Sequence, residues 1–436
     1  MCAICGILKT DGSPVDREEL VAMRDEMVRR GPDHGGAWVE GPVGLANRRL
    51  KIIDLSENGN QPMTNEDGRL QVVFNGEIYN FQELREELVS KGHRFRSRTD
   101  TEVLVHGFEE WGEALFGRLD GMYAVAFWDA AAQSLHLVRD RYGKKPLFYL
   151  HRNGELVFAS ELKAIRRIRR DSLTVNPPAI DCYLHHLSPT QDHSIYKEVS
   201  KLPPAHFLRA RQGKVEVVRY WKPSFMPKLK VSEDEALEAV DAALRLALRR
   251  RMVSDVPLGA FLSGGVDSSL VVALMSGLMD RPCKTFSIGF EEQDFSELRY
   301  SAQVAKHCRT DHQELVLKPD VLQMLPSMVA EYGEPFADSS AVPSYYVSKA
   351  ARSEVTVALS GDGGDEFFGG YDVSRASFHA ARLKGCLPDA LWSGLESWMY
   401  PDGFPRAVSG PLKKLRTLLG HASANSRVRH GFTQGW

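Results

Sequence analysis

The chain has 436 residues, enough for two or three domains that each bury a core. Hydrophobic residues make up 43% and charged residues 26%, with a formal net charge of −2, a balance that suits a globular protein and gives no support for nucleic-acid binding as its main task. There is no run of about 18 apolar residues and no signal-peptide pattern, and beyond Cys2 and Cys5 the cysteines are scattered without a Cys/His metal pattern. Membrane insertion, export and a cysteine-built zinc site are therefore not expected, and a cytoplasmic protein with free thiols is.

The apolar residues over 1–8 predict a short strand. Removal of Met1 would make Cys2 the N-terminal residue, and a free α-amine, with a pKa of about 7.7–8.0, can serve as base for its own thiol. The other reading of Cys2 is a small buried apolar residue beside Cys5. Asp16 with Glu19 forms a capping-box pattern ahead of Leu20, Met23 and Met27, which predicts a helix over 16–29 ended by the Arg30-Gly31-Pro32-Asp33 turn. A strand over 43–54 carries Arg49, either exposed on an edge or pairing its planar fork with a carboxylate.

Gln71-Val72-Val73-Phe74 predicts a strand that ends in a turn at Asn75-Gly76. That turn either joins two strands or aims the Asn75 amide and the Gly76 N–H at one oxygen, as an oxyanion hole requires. Asn80 with Glu83 repeats the capping pattern before a helix with Leu84 and Leu88 on one face, and a further helix runs from the 97–102 region through Trp111, with Asp100 placed as an N-cap. From Gly121 the pattern is β, with strands over 122–129, 135–140, 147–150, 156–159, 206–210 and 215–221 and a short helix over 160–165. Strands with few helices and no βαβ alternation predict an α+β sandwich.

Residues 222–231, with two prolines and three lysines, read as a linker, after which Ser232 and Glu235 cap a helix to about 252. Strands over 256–262, 285–290, 312–317 and 355–359 then alternate with helices over 268–279, 296–307, 320–332 and 342–352, the pattern of a doubly wound parallel sheet whose ligands sit at the carboxyl ends of the strands. After the first of these strands comes Leu262-Ser263-Gly264-Gly265-Val266-Asp267-Ser268-Ser269. Its glycines free backbone N–H groups, and its serines add hydroxyls, at a helix N-terminus that favours negative charge. It lacks the Gly-Lys-Ser/Thr ending of a Walker A loop, so it suits a pyrophosphate that leaves; the plainer alternative is a Gly-rich turn with an ordinary N-cap. After the fourth strand, Ser360-Gly361-Asp362-Gly363-Gly364-Asp365-Glu366 sets three carboxylates within five residues, suiting a Mg²⁺–pyrophosphate pair or else a solvated acidic loop.

Taken in order, Cys2, Arg30-Gly31-Pro32-Asp33, Arg49-Leu50, Asn75-Gly76-Glu77-Ile78-Tyr79-Asn80 and Thr99-Asp100 resemble the class II, N-terminal-nucleophile glutamine amidotransferases. With Ser263-Gly264-Gly265-Val266-Asp267-Ser268 added, the chain resembles the glutamine-hydrolysing asparagine synthetases over residues 1–372. The resemblance implies an αββα sandwich over 1–221, the linker 222–231, and a PP-loop ATP-binding domain over 232–436. It implies Cys2 as nucleophile, Asn75 and Gly76 as oxyanion donors, and Arg49, Asn75, Gly76, Glu77 and Asp100 as the glutamine-binding set, with Arg49 on the α-carboxylate and Asp100 on the α-ammonium. It implies ATP against Leu262, Ser263, Gly264, Gly265, Asp267, Ser268, Ser269, Ile288, Ser360 and Gly361, with Asp267 and Asp365 toward Mg²⁺. Glutamine and aspartate are then the substrates, ammonia passes inside the protein to a β-aspartyl-AMP, and neither nucleic acid nor membrane is a partner; a homodimer is left open.

The chain departs from the family at Ala3-Ile4-Cys5, where Gly-Ile-Ala is usual, and a disulfide between Cys2 and Cys5 then depends on their Cα separation. Asp362 stands where some members have glutamate, and Glu334-Pro335-Phe336-Ala337-Asp338 matches a segment near the acceptor site. The family's Arg-x-Pro-Phe-Leu-Asp and Gly-x-x-Lys segments do not occur in 373–436, so a C-terminally truncated chain is expected. Two alternatives remain, an amidotransferase for another carboxylate and a fragment limited to glutaminase or binding activity.

Overall fold

The computed structural model describes residues 2–290, 296–317 and 321–371 and the single positions 374, 378 and 382; Met1, Cys386 and almost all of 373–436 lie outside the described residues. The first part holds strands β1 (Ala3–Lys9), β2 (His34–Glu40), β3 (Val43–Arg49), β4 (Met63–Thr64), β5 (Leu70–Ile78), β6 (Gly121–Asp129), β7 (Ser134–Arg139), β8 (Phe148–Arg152), β9 (Glu155–Ala159), β10 (Val199–Lys201), β11 (His206–Arg211) and β12 (Lys214–Arg219). Its helices are α1 (Arg17–Asp25), α2 (Phe81–Ser90), α3 (Thr101–Trp111), α4 (Leu115–Arg118), α5 (Leu162–Arg169) and α6 (Pro177–His186). The strands form two six-stranded antiparallel sheets, ordered β10-β8-β9-β1-β3-β2 and β12-β11-β7-β6-β5-β4.

Alternation along the strands explains the layering. Ile4, Leu8, Val43 and Leu45 meet Val73, Ala124, Ala126 and Leu137 between the sheets. The intervening Ala3, Cys5 and Ile7 face the other way, against Leu20 and Met23 of α1 and Leu162 and Ile165 of α5. On the far side, Val72 and Phe74 pack under Leu84 and Leu88 of α2 and Val103, Leu104 and Phe108 of α3. Each fully buried Val, Leu, Ile, Met or Phe among these stabilises by about 1.5–3 kcal/mol relative to exposure, so four layers, αββα, follow from period-two strands covered by period-3.6 helices.

The same alternation decides the question left open at Cys2 and Cys5. Cys5 is buried under α1, whereas Cys2 opens into a pocket on the opposite face of the strand, and both are free thiols. Side chains three residues apart on a strand point to opposite faces, so no disulfide joins this pair.

Other differences are local. The strand expected over 43–54 stops at Arg49, and the chain loops back toward β4. β5 does not turn at Asn75-Gly76 but runs straight through, pairing Asn75 with Ala124 and Gly76 with Tyr123 of β6. A Cβ on Gly76 would lie 2.1 Å from Met122 O, so the glycine serves close strand approach rather than a turn. Asn80 makes no cap; its Nδ2 donates to Arg118 O at 3.0 Å and its Oδ1 accepts from Asp120 N at 2.9 Å. Asp16 caps α1 through Glu18 N, but the Glu19 carboxylate is taken by Arg169 instead of closing the box. β2, with Gly35 and Gly36 inside it, and α6, which starts at a proline pair after Asn176, were not expected from the sequence.

The second part comprises α7 (Glu233–Arg251), β13 (Leu258–Phe261), α8 (Val266–Leu278), β14 (Lys284–Phe290), α9 (Leu298–Cys308), β15 (Asp311–Leu317), α10 (Val321–Tyr332), α11 (Ala341–Arg352), β16 (Val357–Leu359) and α12 (Gly364–Phe368). Its sheet is parallel, ordered β15-β14-β13-β16, with β13 central beside the core of Leu258, Ala260, Leu262, Val272 and Met275. The Ser232–Glu235 capping box is present at α7. Residues 222–231 carry no helix or strand and are exposed. The two parts meet where Arg250 pairs with Glu83 at 2.6 Å and Asp120 at 2.8 Å, and where Asp54 N donates to Asp255 Oδ2 at 2.8 Å.

Candidate functional site

Six residues singled out in the first part come together. Cys2, Arg49, Asn75, Gly76, Glu77 and Asp100 line one pocket, where β1 begins, β3 ends, β5 nears its end and α3 starts. Leu50 N donates to Cys2 Sγ at 3.4 Å. Burial pushes the Cys2 thiol up from its ordinary range, against the pull of the Leu50 hydrogen bond and the Arg49 charge.

Arg49 is 4% exposed, and its fork organises the loop that follows it. Nη1 donates to Ser56 O at 3.1 Å and Asn60 Oδ1 at 3.0 Å, and Nη2 donates to Ile53 O at 3.2 Å and Asp54 O at 2.6 Å. Gly59 lets the chain close on the guanidinium, since a Cβ there would sit 2.1 Å from Nη2. No carboxylate lies within ion-pair distance of Arg49 among the described residues, so its charge remains available to an anion in the pocket. The edge-strand reading of this arginine does not hold, because it is buried.

Asn75 is fully buried, with Nδ2 donating to Ser160 Oγ at 3.4 Å and Oδ1 left without a partner. Ser160 also accepts from Ile4 N at 3.0 Å, which ties β1 to β5 across the sandwich beside the pocket. Asp100 does not cap α3. Its Oδ2 accepts from Ile78 N at 2.9 Å and its Oδ1 from Thr99 Oγ1 at 3.2 Å, and burial lifts its carboxyl to about 6. Burial, with the Asp100 charge, lifts Glu77 to about 7.

One ionisable lining residue was missed. Lys145 is buried in the same pocket, where burial lowers its ammonium to about 8 while the Glu77 charge opposes that shift. Its loop is fixed by the Asp140 carboxylate, which accepts from Tyr142 N, Lys144 N and Lys145 N at 3.0 Å each, and by Arg139 Nε, which donates to Lys145 O at 2.8 Å. The only sequence signal was a lysine set between Gly143 and the apolar Leu147, which reads as an ordinary turn.

In the second part the two glycine-rich loops also come together. Leu262 directly follows β13, where its N–H donates to Phe286 O at 2.9 Å and its carbonyl accepts from Ser287 Oγ. Gly264 has φ +87°, and a Cβ there would meet Tyr300 Cβ at 2.6 Å. Ser263 and Ser268 hydroxyls meet at 2.9 Å, and Gly265 N donates to Ser263 Oγ at 3.2 Å, closing the loop at the start of α8. Gly265 caps that helix with no side-chain acceptor, so its first turn has no side-chain cap, and Ser269 Oγ is buried without a partner.

The acidic loop packs on this turn through its glycines. A Cβ on Gly361 would lie 2.6 Å from Ser268 N, and one on Gly364 would lie 2.2 Å from Asp267 Oδ2. The three carboxylates are partly relieved locally, since Asp362 accepts from Ser360 Oγ at 2.9 Å and Glu366 from Tyr371 OH at 2.7 Å. Ile288 lies half-buried on β14, the neighbouring strand. Among the described residues the one group of three converging metal-ligand side chains lies elsewhere, beside α3, so Asp267 and Asp365 would hold a cation only with oxygens that a ligand supplies.

An antiparallel αββα sandwich with a cysteine-bearing pocket, joined to a parallel sheet with a glycine-rich strand-to-helix loop, is the architecture of an N-terminal-nucleophile fold coupled to a doubly wound α/β domain. Residues 1–221 match the family model described as a glutamine amidotransferase domain, and residues 239–431 match the one described as asparagine synthase. Asparagine synthetase [glutamine-hydrolyzing] 1 of Bacillus subtilis is 37% identical over 380 residues, which cover 86% of this chain and 60% of that protein. A relative from Methanocaldococcus jannaschii is 36% identical over 400 residues, covering 85% of this chain and 76% of its own length. The chain belongs to the glutamine-hydrolysing asparagine synthetase family. It spans about 60% of the length of the first B. subtilis relative and 65% of a second, asparagine synthetase [glutamine-hydrolyzing] 3. Among the described residues no helix is long and apolar enough to cross a membrane.

Proposed function

We propose that residues 1–221 form a glutaminase domain and that residues 232–436, reached through the 222–231 linker, use its ammonia to make asparagine from aspartate and ATP. What carries this reading is the convergence of Cys2, Arg49, Asn75, Gly76, Glu77 and Asp100 in one pocket from four separate stretches of chain. Arg49 supplies a buried positive charge for the glutamine α-carboxylate, and Asp100, backed by Glu77, a negative one for the α-ammonium. The raised Cys2 thiol holds its proton at neutral pH, so attack on the side-chain amide needs a base. The Cys2 α-amine, free once Met1 is removed, is the group adjacent to it. Turning the Asn75 amide by half a rotation lets the Ser160 hydroxyl donate to Oδ1 and releases Nδ2 toward the oxyanion. Gly76 N–H is the second donor.

In the second part, Leu262, Ser263, Gly264, Gly265, Asp267, Ser268, Ser269, Ile288, Ser360 and Gly361 would hold ATP. The uncapped α8 N-terminus and the unpartnered Ser269 hydroxyl fit a phosphate group. Asp267 and Asp365 would face Mg²⁺, which neutralises the pyrophosphate when bound. Attack of the aspartate β-carboxylate on the α-phosphorus releases pyrophosphate into the loop, and ammonia then displaces AMP. Mass spectrometry of products formed from glutamine, aspartate, ATP and Mg²⁺ tests this, with glutamate, asparagine and AMP expected. ADP with phosphate as products would contradict it.

A further inference from the structure

Beside α3, two histidines share one carboxylate. His93 follows α2 and is fixed there by donation of its N–H to Leu88 O at 3.1 Å, and His106 lies within α3, 2% exposed. Their ring centroids are 5.1 Å apart. Both Nδ1 atoms lie 3.8 Å from Glu109 Oε2, while the other oxygen of Glu109 accepts from Asn65 Nδ2 at 3.1 Å. The opposite ring nitrogens each face a different carboxylate, with His93 Nε2 at 3.3 Å from Glu110 and His106 Nε2 at 3.6 Å from Glu102. Glu102 is itself held by Arg96 N and Ser97 N at 2.7 Å each.

A carboxylate on Nε2 fixes the tautomer with its proton there and leaves the Nδ1 lone pair directed at the shared carboxylate, the arrangement in which imidazole binds a metal. An independent observation points the same way, since His106 Nδ1 is buried with no hydrogen-bond partner. Glu66 Oε2 lies 3.9 Å from that same nitrogen. We propose that His93, His106 and Glu109 form a binding site for a divalent transition-metal cation of the zinc type, with the fourth position left to water. Two imidazoles with carboxylate oxygens suit Zn²⁺, whereas Mg²⁺ and Ca²⁺ favour all-oxygen sets. The cation would pin the end of α2 to α3, the helix that begins directly after Asp100 in the pocket.

The test is titration of the full, chelator-treated chain with Zn²⁺ and, in parallel, Co²⁺. One saturable site per chain is expected, with the visible absorption of a four-coordinate N/O Co²⁺ site and a Zn²⁺-dependent rise in melting temperature. His93→Gln and Glu109→Gln should each weaken binding by about tenfold or more and remove the thermal shift. Both positions are partly exposed, and the amide oxygen that Glu109→Gln introduces can still accept from Asn65, so Glu109→Gln keeps that contact. X-ray absorption at the zinc edge of the unmutated protein gives a second readout, with two imidazole nitrogens and carboxylate oxygens expected. Absence of saturable binding, binding unchanged in both variants, or sulfur scattering from a cysteine site would overturn the proposal.

Discussion

At the residue scale, the pocket holds its charges at a cost in stability. Asp100 sits at about 6 because it is buried, against an ordinary value of about 3.9. The folded chain therefore binds more protons than the unfolded one between these values, and stability is lost as pH rises through that window. Asp100→Asn should raise unfolding stability at pH 7 by on the order of 1–3 kcal/mol and leave it nearly unchanged near pH 4, as read by urea denaturation at both. The same substitution should raise the KM for glutamine by about 30-fold or more, because a buried charge partner is lost. In the unmutated protein, kcat/KM for glutamine should fall as pH drops through about 6, where Asp100 takes up a proton. Mild oxidation should leave Cys2 and Cys5 without a mutual bridge, since they occupy opposite faces of β1, and non-reducing peptide mapping would detect one if it formed.

At the element scale, two loops owe their shape to single residues. Arg49 donates four hydrogen bonds into the loop between β3 and β4. Arg49→Lys keeps the charge but loses the planar fork, and should destabilise the first part by about 2–4 kcal/mol and open the loop to protease, read by urea unfolding and limited proteolysis. Gly264→Ala places a side chain at φ +87° and against Tyr300, so nucleotide affinity should fall while glutaminase activity is retained, as calorimetry and glutamate release would show. The sequence made the strands and the parallel βα alternation readable because their hydrophobic periods differ. It misled at Asn75-Gly76, whose turn composition is overridden by pairing with β6, and at Asn80 and Asp100, whose carbonyl and carboxylate oxygens serve distant backbone N–H groups rather than nearby caps. Lys145 and the His93–His106–Glu109 group could not be read, because residues distant in sequence meet only once α2, α3 and the 140–147 loop are folded onto the sheet.

At the scale of the whole molecule, the two parts meet close to the pocket. Asp54, in the loop that Arg49 organises, donates its N–H to Asp255, shortly before β13, and Arg251 lies over the Tyr79 ring at 4.1 Å. The loop beside the Cys2 pocket and the segment that leads to the phosphate-type loop are thus in direct contact, as transfer of a small neutral product between them would require. Ammonia transfer between the parts requires first that the pocket at Cys2 cleaves glutamine. Glutamate release from glutamine without ATP, compared between the unmutated chain and Cys2→Ala, measures it. Turnover is expected in the first and none above background in the second, with the initiator methionine absent from the active protein by mass spectrometry. Equal turnover in both, or full activity with Met1 retained, would contradict it.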